Sequence, residues 1–181
     1  MTSPARADTL ISPLLLALRD CLCDQLRSSV AGPVCRCAVV HTQALPVMDG
    51  CECRCAERDV DTELVGRGDA SVRMVRLDPD LALVGGPGPC PTGWQALISM
   101  VTYRCVPTPE ADELLDPQTL TDTTLELNSD LAAMLRVLQC CPELADRDVS
   151  VDLAQPIGPT GGCAGWELQL RVALPTGPGG C

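Results

Sequence analysis

Leu14, Leu15, Leu18, Leu22 and Leu26 recur at three- and four-residue spacing, with Arg19, Asp20, Gln25 and Arg27 on much of the remaining surface. That period predicts an amphipathic helix. Ser12-Pro13 reads as its start, the serine capping and the proline taking an early position where no amide hydrogen is needed. Gly32-Pro33 stops it, so the helix should end near Ser29. Asp116-Pro117 repeats the start signal for a second helix running to Cys140, before Pro142. Leu120, Leu127, Leu131, Met134, Leu135 and Leu138 form its apolar stripe, and Asn128-Ser129-Asp130 leaves open a division into two pieces.

Between and after these helices the pattern changes to short β-rich runs. Val34–His41 reads as a strand, a second falls around Cys51–Asp59, and Ser71–Leu77 has no clean polar side. Trp94–Val106 is apolar on both of its faces, which predicts a central strand, or one covered by a helix on one side and a partner on the other. Val149, Val151 and Leu153 alternate with polar residues. After a Gly/Pro-dense connection from Gln155 to Gly165, Trp166, Leu168, Leu170, Val172 and Leu174 face one way, and Glu167, Gln169, Arg171 and Ala173 face the other. This last strand reads as half buried with one solvated face. The order of helix, strands, helix, two strands predicts an α+β fold: a single domain over 1–181 with a mostly antiparallel sheet and two helices packed on one face. A loose loop is expected over about 42–69 and a loose tail over 175–181.

Composition narrows the chemistry. The 181 residues include 24 acids against 13 bases, for a formal charge of −11, and every one of the bases is arginine. Without lysine, a Walker A phosphate loop and Schiff-base catalysis are excluded. The acidic balance and the lack of phenylalanine argue against a grip on nucleic acid through phosphates or stacked bases. No stretch approaches the ~20 apolar residues that span a bilayer, and the N-terminal segment lacks the pattern of a secretory signal.

The thirteen cysteines are an odd number, so at least one is unpaired or bridges to another chain. Cys21-x-Cys23, Cys35-x-Cys37 and Cys51-x-Cys53-x-Cys55 lack the Cys-x-x-Cys spacing that aims two thiolates at one zinc ion. We therefore expect an intracellular, soluble product with mostly small buried thiols, disulfides and metal being the alternatives, and look for metal only at 51–55. His41 is the sole imidazole, at a strand end, and nothing nearby singles out a nucleophile. Acids around Asp78, Asp80, Glu110, Asp112, Glu113 and Asp116 read as loop and helix-start charges. The glycines from Gly158 to Gly165 precede a strand, so they suit a tight connection rather than a phosphate cradle. No catalytic, cofactor-binding or metal residue is assigned, and no cofactor or enzymatic activity is expected.

The segments GPTGGCAGWELQLRVALP, AAMLRVLQCC, ISMVTYRCVPTP and SVRMVRLDP together resemble tail terminator proteins of actinobacteriophages with long non-contractile tails, over roughly residues 10–175. The resemblance implies a small α+β fold that forms a ring, usually hexameric, at the head-proximal end of the tail tube. Such a ring ends tube polymerisation and offers a surface to the head-completion or stopper protein. DNA passes through its lumen only as cargo, and there is no membrane partner. The expected location is the virion tail after assembly in the host cytoplasm. Trp94, Ile98, Met100, Trp166 and Leu168 are then candidates for subunit or partner contact. Glu57, Asp59, Asp61, Glu63, Glu110, Asp112 and Glu113 are candidates for the lumen. The alternatives are another connector component, such as a stopper or tail tube protein, and a cysteine-rich metal or redox protein.

Overall fold

A computed structural model describes residues 10–41, 67–79, 93–109, 114–160 and 162–174. The chain runs α1 (Ile11–Arg27), β1 (Arg36–Val39), β2 (Asp69–Pro79), β3 (Trp94–Cys105), α2 (Pro117–Cys140), a 3-10 helix at Pro142–Leu144, β4 (Val149–Thr160) and β5 (Cys163–Leu174). It is a single α+β domain with a five-stranded sheet in the order β1-β2-β3-β5-β4. Among the described residues only the β1–β2 pair is parallel, and the other three pairs are antiparallel. β3 lies between β2 and β5, the central place its two apolar faces predicted.

The register explains the core. Ala96, Ile98 and Met100 of β3 stand opposite Val172, Leu170 and Leu168 of β5, and Val72 of β2 stands opposite Met100. Side chains alternate across a strand, so these residues share one face. They form one buried cluster with Leu14, Leu15, Leu18, Leu22 and Leu26 of α1 and with Ala133, Met134 and Val137 of α2. Both helices therefore cover the same side of the sheet.

Several local expectations are corrected. α1 begins at Ile11 with Leu10 at its N-cap and no side-chain cap, so Ser12 and Pro13 sit inside its first turn. α2 is one unbroken helix, capped by Asp116, whose carboxylate accepts from the amides of Gln118 and Thr119 at 3.0 and 3.1 Å. Its buried stripe is Asp130, Ala133, Met134 and Val137, while Leu120 and Leu135 are exposed. β4 and β5 extend far into the Gly/Pro-dense stretch read as a connection, reaching Thr160 and Cys163. β2 starts at Asp69, inside the loop expected over 42–69; the strand expected around Cys51–Asp59 and the tail from 175 lie outside the described residues.

The cysteines depart furthest from expectation. Among the described residues, Cys21, Cys23, Cys35, Cys37, Cys105, Cys141 and Cys163 are disulfide-bonded, and Cys140 is a free, exposed thiol. Cys21 bridges to Cys141 and Cys23 to Cys37, with Cα separations of 5.6 and 6.3 Å, inside the range a disulfide spans. The physical reason is helical geometry. Two residues apart on a helix, Cys21 and Cys23 point to different flanks of α1, one toward the end of α2 and the other toward β1.

Candidate functional site

Two buried ionic clusters lie on opposite faces of the sheet, and strand parity places both. Arg104 shares the helix-covered face of β3 with Ile98, Met100 and Thr102. Its Nε and Nη2 meet Asp130 Oδ2 and Oδ1 at 2.6 and 2.9 Å. Nη2 also donates to the Gly32 carbonyl at 2.8 Å, and Nη1 donates to the carbonyls of Pro33 at 3.0 Å and of Arg67. All five guanidinium donors are thus used. One side chain ties β3 to α2, to the turn after α1 and to the approach to β2.

The second cluster lies on the face away from the helices. Glu167 of β5 is 4% exposed, and its Oε1 accepts from Ser99 Oγ at 2.7 Å, Gln169 Nε2 at 2.9 Å and Arg73 Nη2 at 3.2 Å. Its Oε2 accepts from Gln155 Nε2 at 2.9 Å. Burial alone would raise the carboxyl pKa; these four hydrogen bonds outweigh it and hold the group below its ordinary value. Burial raises the pKa of nearby Tyr103, and the charge of Glu167 adds to that, against Arg73. Leu97, Ser99 and Val101 are also buried on this face. The face expected to be solvated instead carries a buried polar layer centred on Glu167.

Neither cluster is arranged for chemistry. Ser99 is fully buried and donates to a carboxylate already shared with three other donors, so it is a structural hydroxyl. His41 is exposed beyond the end of β1. Among the described residues no group of three or more His, Cys, Asp or Glu side chains could hold a metal ion. Cys51, Cys53 and Cys55 lie outside the described residues. A shallow pocket of about 430 Å³ beside the end of β5 is lined by Glu143, Asp146, Arg147 and Asp148, and Arg147 there donates to backbone carbonyls of Glu143 and Ala173.

The more informative surface is the exterior of α2. Its buried residues begin only at Asp130, so the first half of a 24-residue helix stands clear of the core. Leu120 and Leu125 are 50% and 60% exposed on that half, and Leu114, just before it, is 94% exposed. A polar half-helix with little buried area gains little from its own hydrogen bonds. At the sheet edge beyond β5, β4 carries two register irregularities, Val151/Leu153 and Ile157/Thr160, together with Pro156 and Pro159. Bulges and prolines discourage another strand from adding to that edge.

Of the residues expected at a partner surface, Ile98, Met100 and Leu168 are enclosed in this chain's own core, because helices cover the face on which they lie. Trp166 packs against that core, and Trp94 is 38% exposed. The lumen candidates Glu57, Asp59, Asp61, Glu63, Glu110, Asp112 and Glu113 lie outside the described residues. Sequence reasoning missed Arg104, Asp130, Arg73 and Glu167. Parity along β3, with Arg104 in step with Ile98 and Met100, and the 130-133-134-137 spacing along α2 were the available signals. The chain matches no protein-family model and no curated protein.

Proposed function

We propose that the protein is a structural component of a siphophage virion, a tail terminator. In this reading it forms a ring, hexameric by analogy, at the head-proximal end of the tail tube, where it ends tube polymerisation and meets the head-completion protein. Its location is the virion tail, its assembly begins in the host cytoplasm, and it carries no catalytic activity. The observation that carries the reading is the first half of α2, with Leu120 and Leu125 exposed on a helix that has no fully buried residue before Asp130. Apolar side chains on such a projecting element suit contact with a neighbouring copy.

The guarded edge of β4 fits the same reading. A ring closed by side-chain packing, rather than by continuing one sheet into the next subunit, stops at a fixed number of copies and does not run on as a fibre. The formal charge of −11 per chain suits a channel through which DNA slides without adhering, since like charges repel. The resemblance of the β2, β3, α2 and β5 segments to tail terminators supplies the identity of the ring.

Native mass spectrometry of the full chain tests this. The expected spectrum is a closed oligomer, converted to monomer by joint Leu120→Glu and Leu125→Glu substitution without loss of the fold by circular dichroism. A wild-type chain that stays monomeric at tens of micromolar overturns the ring.

A further inference from the structure

The disulfides carry an inference that goes beyond the ring and does not depend on it. α1 is held to the sheet by five buried leucines, so its position is set by apolar packing before any bridge forms. The two bridges then act on its flanks. Cys21–Cys141 spans 120 residues of sequence and pins the residue that caps α2; Cys23–Cys37 spans 14 and pins β1. β1 needs such a pin. It is a four-residue strand, at the edge of the sheet and paired only in parallel with β2 among the described residues, and three of its four residues are exposed. Arg36, its first residue, adds a two-point ion pair to the buried carboxylate of Asp69 at 2.8 and 3.2 Å, a polar link that the bridge at Cys37 reinforces covalently.

We propose that the fold is completed by oxidation: it forms in the thiol state, and the bridges of α1 close when the chain passes from a reducing to an oxidising environment, locking β1 and the end of α2. Each bridge forms by thiol–disulfide exchange with a low-molecular-weight disulfide. Two protein thiols are oxidised to one disulfide, one small disulfide is reduced to two small thiols, and the protons move from the protein thiols to the departing ones. Disulfides persist on virion and extracellular surfaces and are rare in reducing cytosol, so the locked state is the one that serves outside the cell. Cys140, exposed and free beside bridged Cys141, is left as a thiol.

The test uses the full chain, expressed in a reducing cytoplasm, trapped by alkylation in the absence of reductant, and compared before and after incubation with glutathione disulfide. Before incubation, alkylation should reach most of the thirteen cysteines. Afterwards it should fall to a small odd number that includes Cys140, with linked peptides Cys21–Cys141 and Cys23–Cys37 in an unreduced digest. The midpoint of thermal unfolding should rise by on the order of 10 °C or more, and the β1 amides should become protected from hydrogen exchange. The Cys23→Ser/Cys37→Ser pair should lose the β1 protection while its reduced form unfolds at the same temperature as reduced wild type. Three results overturn the proposal: unchanged alkylation after incubation, linked peptides joining other cysteines, or β1 protection equal in the reduced and oxidised forms.

Discussion

The guanidinium of Arg104 at the end of β3 and the carboxylate of Asp130 midway along α2 form a two-point ion pair whose side chains are 4% and 0% exposed. The pair is closed on all sides, because the remaining guanidinium hydrogens go to the carbonyls of Gly32, Pro33 and Arg67. Four segments separate in sequence are therefore joined at one planar group. A buried pair of this kind is costly to form and more costly to break.

Asp130→Ala leaves the Arg104 charge buried without its partner, and the expected loss is about 3–5 kcal/mol in urea unfolding. Arg104→Ala should cost at least as much, since three backbone carbonyls also lose a donor. Losses of about 1 kcal/mol or less, the range of exposed pairs, would contradict the geometry.

These two residues also mark where the sequence was legible and where it was not. The α1 leucines, the central apolar strand and the alternation of Trp166–Leu174 were readable because their burial follows the period of a single element. Asp130 was not, since a charged residue in the buried stripe of α2 breaks the pattern that would reveal it, and its partner lies 26 residues away. The same disguise hid Glu167, which occupies the polar positions of an alternating strand yet is buried by donors from three strands. The bridges were not legible because spacing alone does not pair cysteines that meet only through the fold, Cys21 with Cys141 and Cys23 with Cys37.

Glu167 predicts a pH dependence. Its folded pKa is lowered from the ordinary 4.5, so the stabilisation it brings is full above that value and is lost as pH falls through the lower folded value. Glu167→Gln should therefore lose stability at neutral pH relative to wild type, and the difference should shrink on acidification below 4.5. A difference constant from pH 7 to pH 3 would contradict the assignment.

Gly165 lies in β5 opposite Tyr103, where a Cβ would run into the Thr102 carbonyl of β3. Gly165→Ala forces two paired backbones apart, with an expected loss of about 1–3 kcal/mol. At Gly32, whose Cβ direction is open but whose φ is +74°, alanine costs only local strain. Denaturant midpoints of the two variants should rank Gly165→Ala as the less stable.

Cys140→Ser removes an exposed thiol that bridges to nothing, and its stability should stay within about 0.5 kcal/mol of wild type. Cys21→Ser removes a bridge closing a long loop and should lose about 4–5 kcal/mol under oxidising conditions. Differential scanning calorimetry in oxidising buffer separates the two, and equal effects would contradict the pairing.

Tube length measures tail termination directly. Tail tubes assembled with the protein and examined by negative-stain electron microscopy should have one narrow length distribution, each capped by a ring at one end. Tubes assembled without it should run to uncontrolled lengths. Identical length distributions in its presence and absence would rule out a terminator role.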